Sequence, residues 1–299
     1  MSNLKYIKCP LNYTGGKYKM LKHLLPNFKK DIDTFVDLFA GGFNVGVNVS
    51  ANTIYCNDHI HYLIELYKHF QLTDTEELIR QIKNRISYYE LTETNNDGYS
   101  SLRKEYNKTK NILDLFVLTC YSFNHQIRFN NNHEFNTPFG KDRSSYNSRI
   151  EHNLTRFCSA LKEKNIVFTN MDFTAFDYTL LKCGDFVYCD PPYLITNGSY
   201  NDGKRGFKDW TNKEEVELLN VLDMLNAQGI NFALSNVLRH KGQLNKLLAD
   251  WSKKYTIIHI DKSYSNCSYQ FKDRNTKTVE VLITNYERVS SEWKQTSLI

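Results

Sequence analysis

The chain has 299 residues, of which 41% are hydrophobic and 24% charged, and its net charge is +5. This composition is typical of a globular, soluble protein that is large enough to bury a substantial core. The small positive charge permits a phosphate-backbone partner, although a balance of this size is also common in cytosolic enzymes. No apolar stretch reaches the roughly 18 residues that a transmembrane helix needs, which excludes that class of membrane protein.

Cysteine usage and the amino terminus indicate the compartment. The cysteines are odd in number and never stand two residues apart, so neither a zinc knuckle nor a closed disulfide framework is indicated. We expect buried, reduced thiols and no bound metal. Residues 1–10 contain no apolar core of signal-peptide length. The sequence therefore predicts a cytoplasmic protein without membrane association. The seven cysteines are Cys9, Cys56, Cys120, Cys158, Cys183, Cys189 and Cys267.

Short runs rich in β-branched and aromatic residues alternate with helical patterns along much of the chain. This alternation favours an α/β fold in which a mostly parallel sheet is covered by helices on both faces. The runs that predict strands are 34–39, 53–56, 166–169, 185–189, 230–234, 256–260 and 279–284. The patterns that predict helices are 62–70, 75–89, 112–123 and 213–228.

The alternation is interrupted in the first half of the chain, where three helical patterns are followed by a polar, asparagine-rich segment at 123–146. We interpret this block as an inserted, mainly helical subdomain with an exposed loop or hairpin at its tip. The predicted division is a sheet domain made of residues 1–58 and 166–299, and an insert at 59–165.

Two glycine-containing turns and one acid are candidate ligand-binding elements. Asp-Leu-Phe-Ala-Gly-Gly at 37–42 follows the first predicted strand and predicts a tight turn that opens a helix at 44–47. Asp58 ends the next strand, where an acid can bond a ribose hydroxyl; the nicotinamide pattern G-x-G-x-x-G is absent. Tyr-Thr-Gly-Gly-Lys at 13–17 is compatible both with a flexible loop and with a carboxylate- or phosphate-binding turn.

Residues 190–193 read Asp-Pro-Pro-Tyr and directly follow the hydrophobic run 186–189. An acid and an aromatic ring at the end of a strand suit a site that holds an amino group on a flat ring, such as adenine. The exocyclic amine of adenine is a poor nucleophile because its lone pair is delocalised into the ring. The Asp190 carboxylate can accept one of its N–H groups, and the Pro191 carbonyl can accept the other. Proline lacks a backbone donor and fixes φ near about −65°, which aims this carbonyl, and the Tyr193 ring offers a face for a planar base. A strand that ends in an ordinary Pro-Pro turn also explains these four residues.

Taken together and in this order, the motifs resemble the Dam-like (D12 class) adenine-specific DNA methyltransferases. The resemblance covers roughly residues 6–286. It implies a Rossmann-like, S-adenosylmethionine-dependent methyltransferase sheet as the catalytic domain and makes the insert a DNA-recognition domain. Phe43 departs from the pattern, because these enzymes often carry a third consecutive glycine there, which leaves the course of that loop open. The elements that carry the resemblance are 13–17, 37–42, Asp58, Asp172-Phe173 and 190–193.

The resemblance also implies roles for individual residues. Tyr13 and Lys17 would lie near the methionine end of the cofactor, Asp58 at its ribose hydroxyls, and Asp172 and Phe173 beside its adenine. The residues placed around S-adenosyl-L-methionine are Tyr13, Lys17, Asp37, Phe39, Gly41, Asp58, Asp172, Phe173 and Asp190. The implied catalytic residues, which hold the flipped adenine, are Asp190, Pro191, Pro192 and Tyr193.

The segments 124–130 and 134–140 resemble the hairpin with which this family reads bases. Arg128 can fork onto guanine O6 and N7, and the Pro138 ring can contact a thymine methyl group. The residues expected to bind DNA are Asn124, Arg128, Asn130, Asn136, Pro138 and Lys141. Comparison with GATC-reading members favours the guanine contact over a full GATC assignment, because Thr119-Cys120, His125 and His133 replace their usual residues. The sequence is compatible with a GATC-like target. It is also compatible with Arg128 as a solvated surface residue that contacts no base.

Further basic residues are candidates for phosphate contacts, although a basic residue taken singly is more often a solvated charge. The segment 197–210 is basic and aromatic and can close over an extruded base. The segment 263–277 is either a backbone clamp or a soluble hairpin tip. The basic residues concerned are Lys141, Arg143, Arg149, Lys204, Arg205, Lys208, Lys272, Arg274 and Lys277.

The predicted function is site-specific N6-methylation of adenine in double-stranded DNA, either beside a separately acting restriction endonuclease or as a phage or orphan methylase. A cytosine N4-methyltransferase is the nearest alternative, but such enzymes more often place serine before Pro-Pro. An RNA or protein-glutamine methyltransferase usually has asparagine there. A DNA-binding protein that keeps the fold without catalysis is the alternative from another class.

Overall fold

The computed structural model describes residues 5–130, 132–196, 210–260 and 278–287. The strands are β1 (Ile32–Asp37), β2 (Ala51–Asn57), β3 (Ile166–Thr169), β4 (Phe186–Cys189), β5 (Asn231–His240), β6 (Gln243–Leu244), β7 (Thr256–His259) and β8 (Val279–Thr284). The α-helices are α1 (Leu21–Leu24), α2 (His61–Leu72), α3 (Thr75–Tyr88), α4 (Asn96–Thr109), α5 (Ile112–Tyr121), α6 (Ser148–Glu163), α7 (Asn212–Ala227) and α8 (Lys246–Trp251).

These strands form one sheet in the order β3-β2-β1-β4-β5-β8-β7, with β6 paired beside β5. The pairs from β3 to β5 are parallel, whereas β8 runs antiparallel to both β5 and β7. The predicted α/β fold with a mostly parallel sheet is confirmed. β1 has β2 on one side and β4 on the other, so the strand order reverses between β1 and β4. In open α/β sheets, such a switch point leaves a crevice outside the carboxyl ends of the two strands.

Successive residues of the central strands enter two different hydrophobic clusters. Phe35 of β1 and Phe186 of β4 belong to the first cluster, and their neighbours Val36 and Val187 belong to the second. Because successive side chains of a strand point to opposite faces, the clusters lie on the two faces of the sheet. Helices α2 to α6 contribute to the first cluster, and α7 and α8 contribute to the second.

Several helices between β2 and β3 begin at a side-chain cap. Asp74, Asn95, Asn111 and Asn147 accept hydrogen bonds from backbone N–H groups in the first turns of α3, α4, α5 and α6. These bonds satisfy donors that a helix start leaves without partners. α2, α3 and α5 coincide with predicted helical stretches, whereas α4 and α6 had no predicted counterpart. α4 begins with Asn-Asp-Gly at 96–98, residues that are typical of turns, so its start shows no helical pattern in the sequence.

The predicted helix at 44–47 is wrong. The chain forms a three-residue 3-10 turn at Gly46–Asn48 instead, because β2 begins at Ala51 and leaves no room for a longer helix. The Asn48 amide stabilises this turn, since it donates to the carbonyls of Asn44 at 2.8 Å and Ile7 at 2.7 Å. The turn thereby also anchors the amino-terminal segment of the described chain.

The cysteines of the described ranges carry free thiols. Cys183 is exposed, against the expectation of buried thiols, and the other five are buried. Cys267 lies outside the described residues. A search of the described helices finds none that is both long and apolar enough to cross a membrane.

Candidate functional site

The carboxyl edge of the sheet carries a concentrated set of acids. β1 ends at Asp37, Asp58 directly follows β2, and Asp190 directly follows β4. In the parallel register, Asp37 stands opposite Cys56 of β2 and Tyr188 of β4. The three carboxyl groups therefore converge at the switch point of the sheet.

Asp190 is held by donors from two separate parts of the chain. Its Oδ2 lies 2.5 Å from Lys17 Nζ, and its Oδ1 accepts a hydrogen bond from the Tyr193 hydroxyl at 3.0 Å. The Lys17 ammonium also lies 5.2 Å from the centre of the Tyr193 ring. Burial raises the pKa of Asp190, and the Lys17 ion pair and the Tyr193 hydroxyl partly oppose this shift. Pro191 is buried and Pro192 half-buried beside this group.

The two predicted glycine turns pack against each other. The Tyr13 carbonyl accepts the Gly16 N–H at 3.1 Å and closes the first turn. The Tyr13 ring covers Gly41 of the second turn so closely that a Cβ at Gly41 would lie 2.9 Å from it. Gly41 also has a φ of +46°, a conformation that favours glycine. Both features explain why this position has no side chain.

Asp37 lies under the second turn and is 2% exposed. Its Oδ2 accepts the Gly46 N–H at 2.9 Å. Burial raises the pKa of Asp37 to about 7, and the nearby Asp190 and Asp58 carboxylates contribute, while the Gly46 N–H and Lys17 oppose the shift. A carboxyl with this pKa changes its charge near neutral pH.

Asp58 fixes the backbone around the same turn. Its Oδ2 accepts the Gly41 N–H at 2.8 Å, and its Oδ1 accepts the Ile60 N–H at 2.9 Å. Burial raises the pKa of Asp58, and His59 and the two backbone donors oppose the shift. An ionised carboxylate has about four lone-pair sites, so it retains capacity for a further donor.

Asn57 is a residue of this site that sequence reasoning missed. It is fully buried, and its Nδ2 donates to the carbonyls of Leu38 and Met171, each at 3.0 Å. Its Oδ1 accepts the Thr169 hydroxyl at 2.8 Å and the Met171 N–H at 3.2 Å. Asn57 thereby sets the relative positions of the chain after β1 and after β3. A single asparagine at a strand end carries no pattern that could have revealed this.

Phe43 occupies the position at which the pattern expects a third glycine. It adopts a φ of +49° and is fully buried, with its ring centre 6.2 Å from that of Tyr67 and 6.4 Å from that of Phe168. The ring also fills the space beside Gly46, where an added Cβ would meet it at 2.2 Å. The loop thus keeps a left-handed residue at 43, and Gly46 makes room for its side chain.

Phe39 and Phe173 lie together, with ring centres 5.5 Å apart. Trp210 joins them at 5.7 and 5.6 Å. Asp172, beside Phe173, accepts the backbone N–H of Thr174 at 2.9 Å and its hydroxyl at 2.6 Å. The structure therefore brings two predicted aromatic residues together and adds a third.

Residues 122–130 and 132–139 belong to a short antiparallel hairpin, here called the 122–139 hairpin, with bridges at Ser122–Phe139 and Phe129–Phe135. The Phe129 and Phe135 rings contact each other edge-on at 5.8 Å, and Phe129 packs on Tyr62 of α2 at 4.5 Å. One side of the hairpin is thus buried. Asn12 Nδ2 donates to the Asn124 carbonyl at 2.9 Å, which ties the hairpin to the segment that leads into Tyr13.

The predicted base-contacting residues differ in what they do within the hairpin. The Asn130 amide accepts the N–H groups of Asn132 and Glu134 and donates to the Glu134 carboxylate at 2.8 Å, so it closes the turn. Arg128 is exposed and donates to Gln126 Oε1 at 2.6 Å. The other predicted residues are also exposed; they are Asn124, Asn136, Pro138 and Lys141.

Some predicted contacts fall outside the described residues, namely residues 197–209 and the whole segment 263–277, with Lys204, Arg205, Lys208, Lys272, Arg274 and Lys277. Arg143 and Arg149 are exposed, and the Arg143 guanidinium lies 4.9 Å from the centre of the Phe123 ring.

Comparison with known proteins gives these features a context. The family model for D12 class N6 adenine-specific DNA methyltransferases matches residues 13–266. The chain is 53% identical over 281 residues to the type II methyltransferase M.FokI of Planomicrobium okeanokoites and 49% identical over 288 residues to the modification methylase StsI of Streptococcus sanguinis. It is 27% identical over 266 residues to the DNA adenine methylase of Escherichia coli K12.

The extent of these matches differs. The matches to M.FokI and StsI cover 94% and 96% of this chain but 43% and 44% of those proteins, so the chain spans less than half of their length. The match to the Escherichia coli enzyme covers 86% of this chain and 88% of that enzyme.

Proposed function

Because the chain belongs to the D12 class N6 adenine-specific DNA methyltransferase family, we propose that it transfers a methyl group from S-adenosyl-L-methionine to N6 of an adenine extruded from double-stranded DNA. The observation that carries this proposal is the Asp190 carboxylate, which lies at the switch point of the sheet between Lys17 and Tyr193. The sequence Asp-Pro-Pro-Tyr supplies both a charged acceptor and an aromatic face at this point.

The acids of the sheet edge fit a positively charged cofactor. Burial raises the pKa values of Asp37, Asp58 and Asp190, so a cation bound at this edge would stabilise their ionised forms. S-adenosylmethionine carries a sulfonium and an ammonium group, so it supplies charge of the required sign. Phe39 and Phe173 offer the apolar rings that suit its purine.

The individual assignments follow from this fit and from the family. Tyr13 and Lys17 would border the methionine end, and Asp37 and Gly41 belong to the turn beneath the cofactor. Asp58 would accept hydrogen bonds from the ribose hydroxyls with its remaining lone pairs. The assignments at the adenine end are Asp172 and Phe173.

The residues of the Asp-Pro-Pro-Tyr motif then act on the target amine. When bound, S-adenosylmethionine would supply an electrophilic methyl group with its sulfur as the leaving group, and the methylated amine would then lose one N–H proton to solvent. The Asp190 carboxylate accepts one amine N–H, the Pro191 carbonyl accepts the other, and the Tyr193 ring stacks on the base. As positive charge grows on the amine nitrogen, the carboxylate stabilises it electrostatically. Lys17 and the Tyr193 hydroxyl keep this carboxylate oriented, and Pro191 and Pro192 keep the backbone rigid.

DNA recognition would fall to residues 59–165, with the 122–139 hairpin reading the bases. In this proposal Arg128 donates to guanine O6 and N7, the most frequent specific contact of an arginine in the major groove. The exposed Asn124, Asn136, Pro138 and Lys141 would contact base edges or phosphates. Asn130 would act mainly through the turn that it closes. The Asn12–Asn124 hydrogen bond supports this arrangement, because it couples the hairpin to the catalytic edge.

The biological role that we propose is modification, since M.FokI and StsI are named as type II and modification methylases. A separately acting restriction endonuclease would then cut the unmodified site. In this proposal the target contains a guanine that Arg128 reads, and a GATC-like sequence is one candidate for it.

The test of the proposed function is the variant Asp190→Ala. We expect methyl transfer from labelled S-adenosylmethionine to DNA to fall by at least about 100-fold, because the acceptor that stabilises the growing charge is lost. DNA affinity, measured by fluorescence anisotropy, should stay within a few-fold of the wild-type value.

Asp250→Ala is the matched control. Asp250 lies on α8, is exposed and is paired with Lys253. α8 packs on the opposite face of the sheet from α2 to α6. The control should transfer methyl groups at the wild-type rate. Unchanged turnover in Asp190→Ala, or an equal loss in both variants, would contradict the assignment.

A further inference from the structure

A buried carboxylate without a role in the proposed chemistry lies behind the aromatic group of Phe39, Phe173 and Trp210. It belongs to Glu215 in the first turn of α7, and its residue is 1% exposed. Its Oε2 accepts the Trp210 indole N–H at 2.6 Å. Its Oε1 accepts the side-chain amides of Asn245 at 3.0 Å and Asn236 at 3.3 Å.

These donors are all neutral, although a buried carboxylate is costly unless it is well partnered. Burial raises the pKa of Glu215, and the three hydrogen bonds oppose this shift. The position at the start of α7 lowers the cost, because the amino-terminal end of a helix attracts negative charge. The capping of α7 itself is already performed by Thr211 and Glu214, which form a capping box. Glu215 is thus available to fix Trp210.

The indole in turn forms one wall of the aromatic group. Trp210 is 8% exposed, and its ring meets Phe39 edge-on at an interplanar angle of 80° and Phe173 at 46°. Phe39 follows β1 and Phe173 follows β3, so these contacts join two separate loops at the sheet edge. The directional hydrogen bond from the indole N–H to Glu215 favours the ring orientation that makes both contacts possible.

We propose that Glu215 is a positioning residue for cofactor binding, and that it acts by holding Trp210 against Phe39 and Phe173. This inference rests on the proposed function, because it takes Phe39 and Phe173 as part of the S-adenosylmethionine pocket. Asn236 on β5 and Asn245 at the start of α8 fix the other carboxylate oxygen. The network therefore ties the aromatic wall to elements that lie away from the reacting atoms, and its loss affects cofactor affinity more than the chemical step.

The experiment uses the full chain and the variants Glu215→Gln, Trp210→Phe and their combination. Glutamine keeps the size of the side chain but replaces one acceptor oxygen by an NH2 group. This group is a donor and cannot accept the N–H that the carboxylate oxygen accepted. Phenylalanine keeps an aromatic ring but removes the N–H. We measure the Kd of S-adenosylmethionine by isothermal titration calorimetry, and kcat and KM for cofactor and DNA separately. Circular dichroism and thermal melting record whether each variant folds.

The chain offers a matched control in a second tryptophan–carboxylate pair. Trp251 Nε1 donates to Asp223 Oδ1 at 2.9 Å, and its ring packs on Phe232 and Tyr255 instead of the aromatic group. Asp223→Asn and Trp251→Phe disturb the same kind of hydrogen bond without reaching the proposed pocket.

Each variant of the Glu215–Trp210 pair should raise the cofactor Kd and KM on the order of tenfold, with kcat at saturating cofactor within about twofold. The double variant should lose little more than either single variant, since both remove one interaction. The control pair should lower the melting temperature but leave the Kd unchanged. Folded Glu215→Gln and Trp210→Phe proteins with wild-type Kd would overturn the inference and leave the proposed function intact. A wild-type chain that binds no S-adenosylmethionine would overturn both.

Discussion

At the carboxyl edge of the sheet, polar side chains are buried and bonded across long stretches of chain, whereas the predicted base-contacting side chains of the 122–139 hairpin are mostly exposed, and Arg128 and Asn130 bond near neighbours. Lys17 and Asp190 are 173 residues apart in sequence, while Arg128 bonds Gln126, two residues away. The first arrangement is fixed before any ligand arrives, which is what electrostatic catalysis requires. The second leaves side chains free to exchange a local partner for a base. We infer that the residues proposed for methyl transfer lie in a more rigid part of the molecule than the residues proposed to select the DNA target.

The comparison predicts that a change at the sheet edge disturbs stability and turnover together, and the largest effect is expected for Gly46→Ala. The added Cβ would lie 2.2 Å from the Phe43 ring, and overpacking of this kind costs about 1–3 kcal/mol. Because Gly46 N–H also binds Asp37, methyl transfer should fall as well. Denaturant unfolding and single-turnover kinetics measure the two losses.

The compensating variant for this prediction is Gly46→Ala combined with Phe43→Ala, which removes the ring that the new methyl group would strike. The double variant should recover part of the stability that Gly46→Ala loses. If the double variant is less stable than Gly46→Ala by the full cost of Phe43→Ala alone, the two residues do not compete for the same space.

On the hairpin, Arg128→Ala should change target choice with little change in stability. Loss of a bidentate guanine contact costs about 1–3 kcal/mol of discrimination between bases. Methylation of a library of DNA duplexes, read by sequencing, should show relaxed preference at one guanine, while the melting temperature stays near the wild-type value. Arg80→Ala on α3 is the control, since Arg80 is exposed and paired with Glu77 within its own helix. If the wild type, Arg128→Ala and Arg80→Ala all show the same base preference, Arg128 does not read a base.

When Asp37 is replaced by asparagine, we expect a change in how the stability of the protein depends on pH. The pKa of Asp37 is raised to about 7 by burial, so the folded protein holds this proton more tightly than the unfolded chain. The resulting contribution to stability is fully present below the unfolded pKa near 4 and is lost as the pH rises toward 7. The slope is at most about 1.4 kcal/mol per pH unit. In the Asp37→Asn variant this decline should be absent from unfolding curves measured between pH 4 and 7.

Asp33→Asn, at the other end of β1, is a control, because the contribution of Asp33 to stability should change with pH in the opposite direction. The hydrogen bond from Lys182 holds the pKa of Asp33 below its usual range, so its contribution is lost as the pH falls. A pH profile of Asp37→Asn that matches the wild type would show that Asp37 titrates normally in the folded protein.

The sequence predicted the strands better than the contacts between distant residues. Hydrophobic runs located β4 and β8 to within one residue, because burial on both faces demands such runs. The run at 230–234 predicted only the first part of β5, which continues to His240. The 3-10 turn at 46–48 was misjudged as a helix, since the nearness of β2 limits its length. α4 was not predicted because it begins with Asn-Asp-Gly, residues that are typical of turns.

The site was accessible to sequence reasoning wherever a motif marks it. Asp190, Lys17 and Gly41 all stand in such motifs, but the direct Lys17–Asp190 ion pair depends on packing of distant segments. Asn57 and Glu215 carry no motif at all, and only their hydrogen-bond partners reveal what they hold in place.

The central claim is that the group at Asp190 methylates the amine of adenine in DNA. The most direct measurement digests DNA to nucleosides after incubation with the wild-type chain and labelled S-adenosylmethionine, and identifies the modified base by mass spectrometry, with Asp190→Ala in parallel. We expect labelled N6-methyladenine from the wild type and none from the variant. Label in N4-methylcytosine, or no label in DNA while the folded wild-type chain binds both DNA and cofactor, would contradict the account.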